Sequence, residues 1–483
     1  MVFVKNIRKS FKMSLSKNVK IRNILYVVAI VLVCIMFFLG LPKHFIPNNL
    51  SIFTIITFTI NLIFFIFCFF DAQRKNIYSL NCMVWIFSIF FFFISPVLQY
   101  LNSNFPWDYV PSDLVIIKTN LIILLFSLVY EIVYLRDYQN IKQKFFNKGQ
   151  MVEDDINFKT LKILSYISLI FVAIIVIRVD FSDWFSKYNI GKAYDIFGIS
   201  SLSNLFSQFA VYYTAIVFLF NFVEMLKTRK INTGNLCSVY SFFVVCFPFS
   251  LTRFVLATLY MGIIMVIFKN NRLVNRCFNP LFIILMVCVF PIMGQLSHLN
   301  FENNDFFSII SKTLNNIQGT YLSGDYDAFY NLANIIEYVD VNGSTRGLQL
   351  LGCLLFFVPR KWWISKPIGT GAYLANQTGR TFTNISMPFI GEGYANFGIC
   401  GILIFSLFLG KMFAYCDKRY WDNRNSILKL MYPMMVIYSF ILLRGDLMTG
   451  ISGFFYLMIT WLIVYFSIIK LNSKKVKYIK LKM

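Results

Sequence analysis

The chain has 483 residues, of which 58% are hydrophobic and only 14% are charged. A soluble domain is typically about 45–50% apolar and about 25% charged, so this composition excludes an ordinary soluble protein. In a soluble protein the net charge of +23 would suggest nucleic-acid binding. Here it predicts basic segments that anchor membrane helices and attract anionic lipid, with no nucleic-acid partner.

Apolar segments long enough to cross a bilayer follow one another along the chain. About 20 residues, at a rise of about 1.5 Å each, cover a hydrocarbon core of about 30 Å. The sequence therefore predicts an all-α, polytopic integral membrane protein with about twelve transmembrane helices. The predicted spans are 22–41, 50–70, 79–99, 114–134, 161–178, 202–222, 236–250, 254–268, 279–293, 393–415, 428–444 and 451–469.

The basic residues predict the orientation of these spans. With both termini in the cytoplasm, 32 of the 45 Lys and Arg residues lie on the cytoplasmic side and 12 on the opposite side. Such an excess of cytoplasmic cations is what membrane insertion favours.

One connection is far longer than the others, so the prediction divides the chain into three parts. Residues 1–293 hold helices one to nine, and residues 393–483 hold the last three. Between them lies the long segment, residues 294–392, which is predicted to be extracytoplasmic. A connection of this length is either functional or disordered.

The composition of the long segment favours an ordered structure. Residues 326–339 have a helical pattern, and Leu348–Val358 is an apolar run that Pro359 ends. Eleven residues are too few to span, so this run predicts a re-entrant or interfacial helix, with Trp362 and Trp363 at headgroup depth.

The residues that bind metals are scarce. The only histidines are His44 and His298, and the ten cysteines form no CxxC pair, so no metal site and no cofactor are expected. Asp325 and Asp327 are interpreted as solvated loop acids rather than as a metal pair.

Several cations lie on the predicted outer side, where the orientation rule disfavours them. Arginine suits phosphate because its planar fork donates in pairs and stays ionised. Each single cation could instead be a snorkelling anchor, but as a group they predict an anion-binding site. The cations of this predicted site are Arg253, Arg346, Arg360, Lys366, Arg380 and Arg444.

Two acids accompany these cations. Glu392 stands just before a predicted span, where it could act as a general base or pair with an arginine at a helix start. Asp446 follows Arg444 in a short turn, where it could form a structural ion pair with Arg444 or contact substrate.

Four sequence runs carry a resemblance to a known family. They read GDYDAFYNL at 324–332, STRGLQLLG at 344–352, FVPRKWWISKP at 357–367 and GEGYANFGICG at 391–401. This stretch resembles the Wzy-type polymerases of bacterial O-antigen and capsular polysaccharide. The resemblance implies a fold related to the GT-C membrane glycosyltransferases.

The resemblance also implies an activity and its partners. Oligosaccharide units carried on undecaprenyl pyrophosphate would be polymerised at the outer face of the bacterial cytoplasmic membrane. A chain-length regulator and a flippase are possible partners.

Residue roles follow from the same resemblance and from the residue types. Arg253, Arg360 and Arg444 match the family's outside arginines and would serve the lipid pyrophosphate, while Glu392 would deprotonate the acceptor hydroxyl. Further substrate contacts are expected from Arg346, Lys366, Arg380, Asp446 and the aromatic residues Trp362, Trp363 and Tyr394.

Two alternatives stay open at this point. A flippase for lipid-linked oligosaccharides would also have about twelve spans, although short loops and paired halves are then expected. An O-antigen ligase would require a base such as a loop histidine, for which His298 is the candidate.

Overall fold

The computed structural model describes residues 2–42, 51–107, 109–141, 157–178, 200–248, 250–268, 271–296, 311, 316–422 and 426–468. Within these ranges every regular element is helical. The helices are α1 (Val2–Leu39), α2 (Ile52–Lys75), α3 (Leu80–Leu101), α4 (Asp113–Asn140), α5 (Phe158–Arg178), α6 (Ser200–Thr228), α7 (Thr233–Val245), α8 (Arg253–Ile267), α9 (Arg272–Leu296), α10 (Ile317–Tyr321), α11 (Ala328–Asn342), α12 (Leu348–Leu354), α13 (Thr370–Gln377), α14 (Phe389–Asp422), α15 (Ser426–Arg444) and α16 (Leu447–Ile468).

The all-α prediction is confirmed for this part of the chain. Nine helices among the described residues are long and apolar enough to cross a membrane. Helices of this kind suit a bilayer because they satisfy their backbone hydrogen bonds within the segment.

Three shorter apolar helices lie where the other three spans are predicted. They cover Thr233–Val245, Arg253–Ile267 and Leu430–Arg444. At about 1.5 Å per residue, 13–15 residues reach roughly 20–22 Å, which is less than a bilayer core of about 30 Å. These helices are therefore the elements on which the number of spans depends.

Contacts between residues divide the chain into two compact units. The first comprises residues 1–142, 264–424 and 432–452, and the second comprises 143–263, 425–431 and 453–483. In the first unit α4 lies along α14, α1 packs against α9, and α11 contacts both α14 and α4. In the second unit α5, α6 and α7 pack on one another, and the ring of Phe218 stacks on that of Phe242 at 4.4 Å.

A buried acid of α14 connects this helix to three others, α3, α4 and α15. Asp417 of α14 is fully buried and accepts hydrogen bonds from the backbone N–H of Leu80 at 3.0 Å and from the hydroxyls of Tyr134 at 2.8 Å and Tyr432 at 2.5 Å. It thus caps the N-terminus of α3, where a carboxylate is favoured.

Helix α14 contains a sharp break. Phe397 (φ −142°, ψ 16°) and Gly398 (φ 58°, ψ −139°) have non-helical backbone angles, and the second conformation is accessible mainly to glycine. The break brings Gly401 against Gly393, so that a Cβ at Gly401 would lie 1.8 Å from the carbonyl oxygen of Gly393. Helix α14 therefore consists of two arms, 389–396 and 399–422, and the predicted span 393–415 begins inside the first arm.

The first arm of α14 holds the segment that precedes α12. The backbone N–H groups of Thr345 and Gly347 donate to the carbonyls of Ala395 (2.8 Å) and Asn396 (3.2 Å), respectively. The side chain of Asn396 accepts from the N–H of Leu350 at 2.9 Å. Two of the sequence runs that carry the family resemblance thus lie against each other.

The described part of the long segment, residues 316–392, is ordered and largely helical. The predicted helix at 326–339 is confirmed as α11. The predicted apolar helix Leu348–Val358 is too long, because α12 ends at Leu354 and a turn follows.

Candidate functional site

A buried acid lies at the start of α11, where several elements of the first unit meet. Asp327 is 1% exposed and accepts hydrogen bonds from Asn331 Nδ2 (2.8 Å), Ser386 Oγ (2.5 Å) and Trp107 Nε1 (3.3 Å). Its Oδ1 also forms an ion pair with Arg444 Nη2 at 3.5 Å. The interpretation of Asp327 as a solvated loop acid is wrong, because this carboxylate is enclosed and surrounded by donors.

The guanidinium of Arg444 is directed at the turn before α11. Its Nε donates to the carbonyl of Asp325 at 3.1 Å and its Nη2 to that of Gly324 at 3.2 Å. The group also lies 5.8 Å from the ring of Phe91, within a π-helical turn of α3. Arg444 therefore holds the 324–327 turn in place, and its ion pair is with Asp327.

Trp107 is fixed by contacts on several sides. Its backbone is left-handed (φ 62°), a conformation that costs about 1–2 kcal/mol in a residue with a Cβ. Its carbonyl accepts from the Tyr330 hydroxyl at 2.9 Å, and its ring lies 5.5 Å from that of Phe382. The ring also lies close to Gly324, where a Cβ would be 2.6 Å from Trp107 Cζ2.

Trp107, Tyr330 and Phe382 line an open cleft of about 650 Å³. This volume is in the range of small-molecule sites. Five of the thirteen lining residues are aromatic, and the others include one guanidinium, one carboxylate, two amides and two hydroxyls. The lining residues are Trp107, Tyr109, Tyr330, Asn334, Glu337, Tyr338, Val341, Asn342, Thr378, Gly379, Arg380, Thr381 and Phe382.

Arg380 is the guanidinium of the cleft and is half-buried. Its Nη2 donates to the Tyr330 hydroxyl at 3.2 Å and its Nη1 to Asn331 Oδ1 at 3.4 Å, while its Cζ lies 5.2 Å from the centroid of the Tyr330 ring. None of the ion pairs formed by the described residues includes Arg380. Its hydrogen-bond partners in the described part of the chain are therefore neutral groups.

The other polar groups of the cleft come from α11 and the loop before α4. Glu337 accepts from the Tyr109 hydroxyl at 2.6 Å. Burial and this carboxylate raise the pKa of Tyr109 to about 12, so the phenol stays protonated and continues to donate. Asn334 is 6% exposed, and its Nδ2 has no hydrogen-bond partner in the described part of the chain.

Glu392 lies in the first arm of α14 and is fully buried. Its Oε2 accepts from the Thr370 hydroxyl at 2.5 Å and its Oε1 from the N–H of Leu447 at 2.8 Å. Both carboxylate oxygens are thus occupied at the starts of α13 and α16. A base role would require substrate to reach this buried carboxylate, and the role stays a prediction.

Asp446 occupies a similar position beside Glu392. Its carboxylate accepts from the N–H groups of Gly371 at 2.9 Å and Met448 at 3.0 Å. Burial raises the pKa of Asp446, and the hydrogen bonds from Gly371 and Met448 oppose this rise. The two acids together fasten α13 to the start of α16.

Two cations of the FVPRKWWISKP run, Arg360 and Lys366, donate hydrogen bonds to backbone carbonyls in or beside the same run. Arg360 donates to the carbonyls of Lys366 at 2.6 Å and Pro367 at 3.2 Å, and Lys366 Nζ donates to those of Phe356 at 2.6 Å and Val358 at 2.9 Å. Burial, together with the charge of Arg360, lowers the pKa of Lys366. The donors of both side chains are directed at backbone carbonyls of the loop.

Apolar side chains of the same run are exposed. Trp362 is 81% and Ile364 is 89% exposed, while Trp363 is half-buried and donates from Nε1 to Ser365 Oγ at 3.1 Å. Such exposure is typical of side chains that face lipid at the membrane interface.

The remaining predicted site residues are not among the residues that line the cleft. Arg346 is exposed and has a left-handed backbone (φ 52°). Tyr394 is buried and donates to Asp340 Oδ1 at 2.7 Å, and Asp340 also pairs with Lys118. Arg253 is the first residue of α8, in the second unit.

Of the predicted site residues, only Arg380 lines the cleft. Arg444 contacts the 324–327 turn and Asp327, which in turn binds Trp107 of the lining. The cleft side chains of α11 were missed, although the sequence contains a signal. Polar and aromatic residues recur three or four positions apart, the spacing of one helix face, at Asp327, Tyr330, Asn331, Asn334, Glu337 and Tyr338.

The described helices have the length and composition of a polytopic helical membrane protein that carries an aromatic cleft. No protein-family model, curated protein or solved structure matches this chain.

Proposed function

We propose that this protein is a membrane glycosyltransferase, an oligosaccharide repeat-unit polymerase of a bacterial surface polysaccharide. The observation that carries the proposal is the cleft, because aromatic faces with a few fixed amide, carboxylate and guanidinium groups are the chemistry that binds sugars. The resemblance of the four sequence runs, all in or beside the segment that builds the cleft, points to the same function.

The proposal includes the arrangement in the membrane. Twelve spans, with both termini in the cytoplasm, would place the cleft at the outer face of the bacterial cytoplasmic membrane. A GT-C-like fold is part of the proposal. The substrates would be undecaprenyl-pyrophosphate-linked oligosaccharides, and a chain-length regulator and a flippase would be partners of the same export system.

The reaction needs no activated nucleotide. A sugar hydroxyl of one lipid-linked unit attacks the anomeric carbon of another, a new C–O bond forms, and the bond to the pyrophosphate breaks. Undecaprenyl pyrophosphate leaves with the negative charge, and the hydroxyl proton passes to a base, for which Glu392 is the proposed residue. Cations near the leaving group would stabilise the developing charge.

The contacts of the described residues refine which side chains would meet substrate. Arg444 and Arg360 donate to protein carbonyls, so we assign them to positioning the turn and the loop. Arg380 has five N–H donors and uses two of them in the contacts to Tyr330 and Asn331. It is therefore the proposed substrate-binding cation of this unit.

The test is the surface polysaccharide of a strain that lacks the gene. Single-unit material in place of long chains is expected, and loss of all exported material would instead indicate a flippase. Complementation with Trp107→Ala or Arg380→Ala should restore only short chains. Lys361→Ala, an exposed cation of the FVPRKWWISKP run, is the matched control and should restore long chains. Long chains in the deletion strain would refute the proposed function.

A further inference from the structure

The charge balance of the cleft points to the kind of sugar that it binds. Arg380 is half-buried, yet its contacts are to the neutral side chains of Tyr330 and Asn331. Within the described part of the chain this partly desolvated cation forms no ion pair, and such a cation favours an anion brought by a ligand. Its planar fork suits a carboxylate, which can accept two parallel hydrogen bonds.

The rest of the lining limits that anion to a small one on a sugar ring. The one guanidinium of the described lining matches a single negative charge, whereas a pyrophosphate carries more charge than Arg380 alone can balance. Glu337 is suited to accept from sugar hydroxyls, and the rings of Trp107 and Phe382, 5.5 Å apart, offer apolar faces for a sugar ring.

Asn334 supports the same assignment independently of Arg380. Its side chain is nine-tenths buried, lines the cleft and has a nitrogen without a hydrogen-bond partner in the described part of the chain. A buried unsatisfied donor costs free energy, and because this nitrogen is enclosed, a ligand oxygen would reach it only after the Asn334 side chain turns toward the cleft. Sugar hydroxyl and ring oxygens are such acceptors.

We infer that the cleft binds an acidic sugar, one that carries a carboxylate, and that Arg380 binds this carboxylate. The inference rests on the proposed function for its biological meaning, because the acidic sugar would belong to the repeat unit. Its binding test is independent of polymerisation.

The experiment measures sugar binding to the purified full-length protein in detergent micelles. The probes are the methyl glycosides of glucuronic, galacturonic and mannuronic acid, each paired with its neutral counterpart that has a hydroxymethyl group in place of the carboxylate. Saturation-transfer NMR and calorimetry give the affinities. We expect at least one acid to bind roughly 10–100-fold more tightly than its neutral partner, the effect of charge-assisted hydrogen bonds.

Variants assign the preference to a residue. Arg380→Ala should abolish the preference for the acid and leave the affinity for the neutral glycoside within about twofold. Arg380→Lys should keep part of the preference, because a point charge replaces a bidentate fork. Lys361→Ala should behave as the wild type, and the retained binding of the neutral glycoside shows that the Arg380 variants are folded.

Three results would overturn the inference. They are equal affinity for acid and neutral sugars, no binding of any of the glycosides, and Arg380-dependent binding of inorganic pyrophosphate that exceeds that of every acid. If acid binding is found but the deletion strain still makes long chains, the proposed function fails and the acidic-sugar site stands. If the deletion strain makes single units but no acid is preferred, only this inference fails.

Discussion

Asp327 fixes two parts of the cleft at once. Its carboxylate receives Trp107 Nε1 on Oδ2 and pairs with Arg444 at Oδ1. Through Asn331, which donates to Asp327 and accepts from Arg380, it also reaches the cleft cation. Every partner of this carboxylate is a donor, so the site requires a group that only accepts.

The first prediction concerns this requirement. Asp327→Asn would turn an amide nitrogen toward groups that are themselves donors and would remove the acid that pairs with Arg444. Breaking a buried pair in this way costs roughly 3–5 kcal/mol, so the midpoint of thermal unfolding should fall strongly. Asp340→Asn removes a partly exposed pair with Lys118 and keeps an amide oxygen that can accept from Tyr394, so a loss of at most about 1 kcal/mol is expected. Equal effects of the two substitutions would contradict the positioning role of Asp327.

The second prediction separates the two roles of Glu392. Glu392→Gln keeps the shape and can still accept from Leu447, while the Thr370 hydroxyl can reverse and accept from the new amide. If Glu392 is the base, turnover of lipid-linked substrate should fall by roughly two to four orders of magnitude with the unfolding midpoint nearly unchanged. Glu392→Ala removes both acceptors and should lower stability as well. Near wild-type polymerisation by the Gln variant would assign Glu392 to structure alone.

The third prediction concerns pH and Asp446. Because burial raises the pKa of Asp446 in the folded protein, the folded state keeps this proton to a higher pH than the unfolded chain does. The stability linked to this proton is fully present below the ordinary Asp pKa of about 3.9 and is lost as the pH rises through the raised pKa.

Asp446→Asn stays neutral and should escape that loss. The unfolding midpoint of the variant, relative to the wild type, should therefore increase as the pH is raised from about 4 toward neutrality. A difference between Asp446→Asn and the wild type that does not change with pH would contradict the raised pKa.

At the scale of elements, the break in α14 explains the glycines of the GEGYANFGICG run. The chain reverses at Phe397 and Gly398, and the two arms then approach at Gly393 and Gly401. Glycine is needed at Gly401 because any side chain there would meet the Gly393 carbonyl. The first arm also carries Glu392, so the break determines where that carboxylate lies.

The fourth prediction follows from this close approach. A Cβ at Gly401 would lie 1.8 Å from the carbonyl oxygen of Gly393, so Gly401→Ala must push the arms apart. Overpacking of this kind costs at least about 1–3 kcal/mol, and the yield of folded protein and the unfolding midpoint should both fall. Cys400→Ala, at the exposed neighbouring position, is the control and should be neutral. A fully stable Gly401→Ala protein would show that the two arms are not in contact.

The sequence predicts the helices well and the cleft poorly, for a physical reason. Hydropathy is a local property, so each predicted apolar segment, from 22–41 to 451–469, overlaps a helix. The pairing of Arg444 with Asp327 joins residues more than a hundred positions apart, and the sequence gives no distance between them. Trp107 lay outside every predicted element, and its role depends on a turn around Gly324 that packing creates.

The predicted role of Arg360 and Lys366 shows a second limit. Charge and neighbouring tryptophans indicated an anion clamp, because the sequence reveals which donors exist. It does not reveal that backbone carbonyls of the same loop accept from them at 2.6–3.2 Å. Arg380 is also a cation on the predicted outer side, so the sequence does not distinguish it from Arg360 and Lys366. Only the fold shows that Arg380 lines the cleft while the other two donate to carbonyls of their own loop.

The membrane topology depends on the three short apolar helices α7, α8 and α15. Helices α7 and α8 follow one another, so if neither crosses the membrane, the orientation of all later helices is unchanged. Helix α15 has no such neighbouring short helix whose failure to cross would compensate for its own. If its apolar part, Leu430–Arg444, does not cross, the last span is inverted and the C-terminus lies outside.

The fifth prediction tests these possibilities with a reporter that is active only in the cytoplasm. Fusions after Lys230, Asn271 and Lys475 should be active, and fusions after Thr252 and within 300–385 should be silent. If the fusion after Thr252 is active and all the others behave as expected, neither α7 nor α8 crosses the membrane, and the number of spans is ten. If the fusion after Lys475 is silent and all the others behave as expected, α15 does not cross the membrane. Activity within 300–385 would place the cleft, with Arg380, on the cytoplasmic side, where lipid-linked units are not polymerised in the proposed function, and that function would have to be abandoned.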